Sequence, residues 1–348
     1  MVLKATYYAR LSGEHATLPE AELRAVIELA SSSYSMKGLL DLIALFEADN
    51  LDYRILCNRL AYTKSVGLLL GVSDQNYRDI TDTVVEAAEV LNKRATGGIR
   101  VEVHRIRGYA KDLDPGKIAK SVAIAIERAS LKATPKSREV LEVLLTEGLA
   151  VIGLRLCRIR SKEYIERNPG KRPFFKPGPL EAKLTRALVN LARVKRGSTF
   201  LDPFCGTGGF AIEACLVGAA RILCGDIDYT MAHGSRVNLK YYGCQHTLSM
   251  CTDAVNPPVK VGSVDAIATD PPYGRSTTTG KRTLHELYSL FLAESLDLLR
   301  RGGFLVFAGP HWLKPHYIAS DAGFTVLENH YMYVHGSLTR VIVVAKKP

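Results

Sequence analysis

Thr199-Phe200-Leu201-Asp202-Pro203-Phe204-Cys205-Gly206-Thr207-Gly208-Gly209-Phe210-Ala211-Ile212-Glu213-Ala214-Cys215 is the stretch that decides the fold. A short apolar strand runs into an acid, glycines crowd the turn, and a helix-forming run follows. Strand, glycine turn and helix make the first unit of a nucleotide-binding α/β fold, in which Gly206 and Gly208 permit positive φ and close approach of backbone to ligand. No Lys-Ser/Thr follows the glycines, so the turn is not a P-loop. The next strand, Arg221 to Gly225, ends at Asp226, twenty residues past Gly206. Folds of this kind place there the acid that holds a ribose diol. A third strand-like run, Thr247 to Thr252, ends at Asp253, suited to accept from an adenine amino group. Ile227 and Ala254, next to these acids, complete the ligand-binding set. Taken singly, each acid also reads as an ordinary strand end.

Further on, Val264-Asp265-Ala266-Ile267-Ala268-Thr269 reads as a buried strand and delivers Asp270-Pro271-Pro272-Tyr273-Gly274 to the same sheet edge. Ligands of open α/β sheets bind at that edge. Pro271 and Pro272 have no amide hydrogen, so the loop offers a carboxylate, bare carbonyls and an aromatic ring. Such a site wants a donor, and the exocyclic amine of a nucleobase is one with a flat π face. A turn rich in Asp and Pro is the plainer alternative.

Together these residues resemble the amino-methyltransferases that use S-adenosylmethionine, with their Asp-Pro-Pro-Tyr and Asp-Pro-Phe-x-Gly-x-Gly motifs. Within that group the chain is similar to the archaeal tRNA guanine-N2-methyltransferases that act on guanosine 10. The likeness rests on residues 7–11, 175–178, 186–191, 270–277 and 334–340. It implies an α/β fold: a Rossmann-like class I methyltransferase domain at 179–348, preceded by an α+β ferredoxin-like domain at 1–73, a THUMP RNA-binding domain at 74–159 and a basic linker at 160–178. It also implies that Asp270, Pro271, Pro272 and Tyr273 hold the target guanine, with Tyr273 stacked on a base turned out of its helix. Asp226 would take the ribose of S-adenosylmethionine and Asp253 its adenine. Asp202, Phe204, Gly206 and Gly208 would line its methionine half, over which Lys176-Pro177-Gly178 closes. Cys205 varies in such motifs and is read as a small packing residue. A nucleophilic role for it would need a nearby base that the sequence does not identify.

Composition sets the bounds. A chain of 348 residues, 47% apolar, is expected to hold two to three domains. It has no run of eighteen apolar residues and no signal-peptide core at its start, so a soluble cytoplasmic protein is expected. Seven cysteines show no Cys-x-x-Cys spacing and nine histidines form no ligand pattern, so no metal is expected, and disulfides are not expected on compartment grounds, a rule that chains from extreme thermophiles break. Residues 151–200 hold thirteen Lys/Arg against three Asp/Glu, nearly the whole of the chain's +11. Arg158, Arg160, Lys171 and Arg172 there, and Arg275 after the tetrapeptide, are expected to meet the phosphates of a tRNA partner.

The periodicity predicts strands at 2–11, 39–48 and 66–72 with helices at 19–31 and 53–62. It then predicts a helix at 79–93, a strand at 99–106, a helix at 115–129 and a helix-then-strand run over 140–156. From 179 onward it predicts strands at 198–202, 221–226, 247–252, 264–269 and 303–308 and a closing hairpin at 324–334 and 338–346. Three rival functions stay open on these residues: an adenine-N6 or cytosine-N4 DNA methyltransferase, a non-catalytic RNA-binding protein, and a guanine-N2 enzyme for another position in tRNA or ribosomal RNA.

Overall fold

The N-terminal strands run β1 (Lys4–Leu11), α1 (Leu18–Ala30), β2 (Ser33–Leu40), β3 (Ile43–Asp49), α2 (Tyr53–Arg59), β4 (Thr63–Asp74), α3 (Tyr77–Glu86), α4 (Ala88–Arg94), β5 (Arg100–Arg105), α5 (Pro115–Arg128), β6 (Val140–Thr146) and β7 (Leu149–Arg158). These assignments come from a computed structural model that describes residues 4–94, 97–274, 282–336 and 338–348. The seven strands share one sheet in the order β2-β3-β1-β4-β7-β6-β5, antiparallel throughout except for the β5–β6 pair. Helices α3 and α5 bury Ile80, Val84, Ile118 and Val122 against Leu141, Val143 and Ile152.

Three expectations need correction here. The helix expected at the start of 140–156 is strand β6, joined to β7 by a tight turn in which Glu147 and Gly148 both have positive φ, 43° and 83°. That pair of angles suits a two-residue hairpin. Because β6 is buried along its whole length, its apolar run has no period to separate strand from helix. The single strand expected at 39–48 is a hairpin bent at Leu42, whose φ is 56°. Its first arm, β2, is an edge strand of alternating exposure that begins back at Ser33 among polar residues. The helix expected at 79–93 is two, α3 and α4, meeting at Ala87.

Polar side chains are buried in this sheet too. The Tyr8 ring lies over Gly67 and Gly153, where an added Cβ would stand 2.3 Å from Tyr8 Cε1. Only glycine leaves room for it. The Tyr8 hydroxyl and Ser65 Oγ each donate to Glu142 Oε2 at 2.7 Å, and Arg155 Nη1 donates to Oε1 at 3.2 Å. Burial pushes the Glu142 carboxyl up, but the His104 ring 3.6 Å away, the hydrogen bonds from Tyr8 and Ser65 and the charge of Arg10 outweigh it and hold it at about 2.

The second half of the chain runs α6 (Ser161–Glu166), α7 (Ala182–Leu191), β8 (Thr199–Asp202), α8 (Gly209–Leu216), β9 (Arg221–Asp226), α9 (Tyr229–Tyr241), β10 (Thr247–Cys251), β11 (Val264–Thr269), α10 (Leu284–Leu298), β12 (Leu299–Pro310), α11 (Pro315–Asp321), β13 (Thr325–His335) and β14 (Leu338–Lys346). Its sheet has the order β10-β9-β8-β11-β12-β14-β13. The first five strands are parallel, and β14 is antiparallel to both β12 and β13. The parallel strands and closing hairpin are those expected of a Rossmann-like domain, and the structure supplies their order. Tyr288, Phe291 and Leu292 of α10 bury its core with Leu201, Ile267 and Phe307.

By compactness the chain forms one unit of residues 1–14, 30–57 and 63–159, and another of residues 15–29, 58–62 and 160–348. Helix α1 thus belongs with the Rossmann-like unit. Its fully buried Glu22 accepts the Ala61 and Tyr62 backbone N–H groups at 2.9 and 2.7 Å and Asn190 Nδ2 at 2.7 Å.

Disulfides join Cys57 to Cys157 and Cys215 to Cys244, with Cα separations of 5.9 and 5.8 Å. The expectation of none is corrected. The partners lie 100 and 29 residues apart, so no local spacing motif could announce them. No helix among the described residues is long and apolar enough to cross a membrane.

Glu142 titrates below the ordinary glutamate range, so its contribution to stability is present above about pH 4.3 and is lost as pH falls toward about 2. Urea unfolding at about pH 5 and about pH 2.5 should show the wild type losing stability that Glu142→Gln does not lose. Parallel losses in the two proteins would contradict the assignment.

Candidate active site

Strands β8, β9, β10 and β11 are neighbours in the parallel part of the sheet, and at or just past their C-terminal ends stand Asp202, Asp226, Asp253 and Asp270. The glycine turn after β8 has left-handed backbone at Gly206 (φ 48°) and Gly208 (φ 81°). It is fastened to β9 by Asp226, whose Oδ2 accepts the Gly206 N–H at 2.8 Å and whose Oδ1 accepts the Asp228 N–H at 3.0 Å. No atom lies within 4 Å of where a Gly206 Cβ would stand, so the turn leaves an open cradle of the kind a bound nucleotide cofactor fills. Beside it Ile227 is 56% exposed, an apolar surface unusual at a strand end. Asp253 Oδ1 accepts the Val255 N–H at 3.2 Å, and Oδ2 pairs with Arg282 Nη1 at 2.8 Å. Ala254 is buried, and Phe204 packs edge-on against Phe291 with centroids 5.2 Å apart.

Asp202 lies beneath this edge, fully buried. Its Oδ1 accepts the Thr269 hydroxyl at 2.7 Å and the Phe204 N–H at 3.3 Å, while Oδ2 has no partner. Burial pushes this carboxyl up to about 8, so it stays largely protonated at neutral pH. The residue after Thr269 is Asp270, a half-buried acid. The Tyr273 hydroxyl donates to Asp270 Oδ1, and Arg340 Nε donates to the Tyr273 hydroxyl at 2.7 Å. Burial is the largest influence on the Asp270 carboxyl and leaves it above the ordinary aspartate range, although Arg340 and the Tyr273 hydrogen bond draw it part of the way back down. The Tyr288 hydroxyl reaches the Pro272 carbonyl at 3.4 Å and the Ala308 carbonyl at 3.2 Å, so the Pro-Pro turn rests on α10.

Sequence reasoning assigned no role to Arg340, which it met only at the end of the 334–340 segment, and did not single out Asn238. On α9, Asn238 accepts the Phe174 N–H at 2.9 Å and donates to the carbonyls of Phe174 and Thr207, each at 2.9 Å. It thereby ties the segment leading into Lys176-Pro177-Gly178 to the glycine turn. The Phe174 ring fills the space over Gly234, where a Cβ would come within 2.0 Å of it. Lys176, Pro177 and Gly178 are themselves exposed. A lone Asn on a helix makes no motif, and the 334–340 segment carries a likeness without saying what its Arg touches.

The basic stretch divides. Arg158, Arg160 and Lys171 are exposed. Arg172 is not a surface residue, which corrects its expected contact with phosphates. It is 5% exposed, with Nη1 donating to Thr207 Oγ1 at 3.2 Å and Nε to the Arg167 carbonyl at 3.0 Å. Arg167 is likewise spent inside, on the buried Glu213 at 2.8 Å, which Arg186 also meets at 2.6 Å. Arg275 lies outside the described residues. Cys205 is buried, and contact with the Cys224 thiol together with burial pushes its own thiol up, which removes the nucleophilic alternative.

Residues 169–342 match the RMKL-like methyltransferase domain family. The tRNA (guanine(10)-N2)-dimethyltransferase of Methanothermobacter thermautotrophicus is 35% identical over 341 residues, which cover 97% of this chain and 98% of that protein. The protein of the same name from Pyrococcus abyssi is 32% identical, over 96% of this chain and 97% of its own. The chain belongs to the tRNA (guanine(10)-N2)-dimethyltransferase family. TrmN from Thermus thermophilus, 21% identical, superposes over 99% of this chain and 100% of its own at a TM-score of 0.54, a likeness of fold. Those two archaeal relatives align with this chain over nearly its whole length, the residues of the N-terminal sheet included.

Asp202 is raised, so its ionisation costs stability as pH rises from the ordinary aspartate range, about 4, through about 8. Asp202→Asn keeps the acceptor for Thr269 without the ionisation. Its stability relative to wild type should therefore grow between pH 5 and pH 8.5 in chemical denaturation, at roughly the slope of one proton. A constant difference would mean that Asp202 is already ionised in the fold.

Proposed function

We propose that the protein transfers methyl groups from S-adenosylmethionine to the exocyclic N2 of a guanosine in tRNA, most specifically guanosine 10. The observation that carries this reading is the Asp270 carboxylate, held by Tyr273 in a half-buried recess on the strand that adjoins the glycine turn through the Thr269–Asp202 hydrogen bond. The archaeal relatives are named dimethyltransferases, and conversion of the mono- to the dimethylated base is part of the proposal.

S-adenosylmethionine supplies an electrophilic methyl group. Asp226 and Ile227 are assigned to its adenosine and Gly206, Gly208 and Phe204 to its methionine half, with Lys176-Pro177-Gly178 closing that end. Asp253 is assigned to the adenine amine, sharing its carboxylate with Arg282. The guanine N2 lone pair is delocalised into the ring, so the amine is a poor nucleophile at rest. Asp270 Oδ2 and the Pro271 carbonyl accept its two hydrogens, favour a pyramidal nitrogen and turn the lone pair outward. Fixed acceptors need no reorganisation during the reaction, which is where much of the rate arises. Transfer leaves a cationic, acidic amine beside a carboxylate able to take the proton. Because the Tyr273 hydroxyl is tied to Asp270 and Arg340, its ring is a fixed wall for the guanine.

The N-terminal residues are assigned to the RNA: 1–73 as a ferredoxin-like domain, 74–159 as a THUMP domain and 160–178 as the linker. What supports this is the shared length with the tRNA-modifying relatives and the exposed cations Arg158, Arg160 and Lys171. A cytoplasmic location goes with that substrate.

Incubation with unmodified tRNA and methyl donor, followed by nucleoside mass spectrometry, should yield N2-methyl- and N2,N2-dimethylguanosine, and a transcript with adenosine at position 10 should yield neither. Product at another nucleoside, or in DNA, would overturn the reading. Asp270→Ala should lower turnover by about two to four orders of magnitude with donor binding intact by calorimetry, and comparable activity would remove Asp270 from the chemistry. Replacing Arg158, Arg160 and Lys171 with Gln should weaken tRNA binding and reduce the slope of log affinity against log salt by about 0.7–0.9 per lost phosphate contact. An unchanged slope would assign these cations to solvent.

A further inference from the structure

Arg340 belongs to β14, which pairs with Pro310 of β12 and Met332 of β13 and contributes nothing to either sequence motif. A charged side chain on an interior strand, 8% exposed, demands a partner of opposite charge or a set of acceptors. It finds both at the Asp-Pro-Pro-Tyr loop. Arg340 Nε donates to the Tyr273 hydroxyl at 2.7 Å and stands 4.0 Å from Asp270 Oδ1, and its guanidinium carbon is 5.6 Å from the centre of the Tyr273 ring.

The order of this chain has a direction. A guanidinium has donors and no acceptor, so the tyrosine oxygen must accept from Arg340 and its own hydrogen must go elsewhere. The hydrogen goes to Asp270 Oδ1. Resting on the methyltransferase reading above, we propose that Arg340 is a positioning residue for the reaction: it fixes the polarity of an Arg340–Tyr273–Asp270 chain. One carboxylate oxygen is then committed internally, and the other is left as the acceptor for the substrate amine.

The same contact governs ionisation. The groups that face Asp270 are Tyr273 on its own loop, Tyr288 of α10, Asp202 of β8 and Arg340 of β14. Among the described residues Arg340 is the cation within 4.0 Å of it. Burial favours the neutral acid, and a protonated Asp270 would present a hydroxyl to an amine that needs an acceptor. Arg340 opposes that by favouring the carboxylate. The tyrosine link passes on the effect, since a phenol that accepts from a cation donates more strongly to the next oxygen.

The test compares wild type, Arg340→Gln, Arg340→Lys and Tyr273→Phe on unmodified tRNA, with donor binding by calorimetry and thermal unfolding recorded for each. In Arg340→Gln, kcat should fall by about a hundredfold, with the KM for the methyl donor nearly unchanged. The acid limb of kcat should move to higher pH by about one unit, because the neighbour that holds Asp270 ionised is gone. Arg340→Lys should restore the position of the limb, its charge being retained, while recovering only part of kcat. Tyr273→Phe should lower kcat and shift the limb less than Arg340→Gln does. A folded Arg340→Gln with wild-type kcat and limb would overturn the proposal. So would a loss of kcat with no movement of the limb and no rescue by Lys, which is the signature of a merely structural role. Should Arg340→Gln fail to fold, Arg340→Lys and Tyr273→Phe decide alone: a wild-type kcat in both would overturn it. Failure of the wild type itself to methylate tRNA guanosine marks the failure of the functional reading and is separate from these outcomes.

Discussion

The hydrogen bond from the Thr269 hydroxyl to Asp202 Oδ1 is the constraint from which the rest of the site follows. Asp202 ends the strand that carries the glycine turn, and Thr269 ends the strand that carries Asp270. Their 2.7 Å contact fixes the spacing of the two loops. The adjacency of β8 and β11 in the parallel sheet brings both loops to one edge, and the buried acid between them sets the distance at which a cofactor and a base could meet. Asp226 performs the same task on the other flank by accepting the Gly206 N–H. Acids read at first as ligand-binding residues therefore also hold the turn in the shape a ligand requires.

Much of this edge was legible because its physics is local. A strand, glycines with positive φ and an acid twenty residues later are short-range patterns, and two prolines after an aspartate announce a loop without donors. What stayed hidden depends on pairings between distant residues. Arg340 lies 67 residues from Tyr273, and Asn238 lies 64 from Phe174. The disulfide partners share no local pattern, and the slot for Tyr8 is cut by two glycines on different strands, Gly67 and Gly153. The hairpin of β6 and β7 was hidden for another reason. Complete burial removes the alternation on which period arguments rest, and only the Glu147-Gly148 turn betrays it.

Charge counting misled in an instructive way. Residues 151–200 carry nearly the whole net charge of the chain, yet Arg155, Arg167 and Arg172 are turned inward, onto Glu102 and Glu142, onto Glu213, and onto Thr207. A formal excess of cations in sequence is not an excess at the surface, because a single buried glutamate can absorb two arginines, as Glu213 does with Arg167 and Arg186. The linker is thereby a packed element of the Rossmann-like unit. The cations it leaves exposed are Arg160, Lys162, Lys171 and Lys176.

Two of the carboxyls at this edge share Thr269, which Asp270 follows in sequence and whose hydroxyl Asp202 accepts, and their environments give them different work. Asp202 has no cation at hand among the described residues, lies fully buried and is pushed up to about 8, so at neutral pH it adds little negative charge beneath its neighbour. Were it ionised, its repulsion would add to burial in driving Asp270 toward the neutral acid. Asp270 instead has Arg340 within 4.0 Å and the Tyr273 hydroxyl on Oδ1, both of which favour the carboxylate. Both carboxyls are thus raised by burial, but Arg340 and Tyr273 offset part of that rise at Asp270 alone, which leaves Asp202 as the neutral strut and Asp270 as the one of the two with neighbours that favour its charge. A protonated strut is thus as much a part of the acceptor's chemistry as the arginine opposite it.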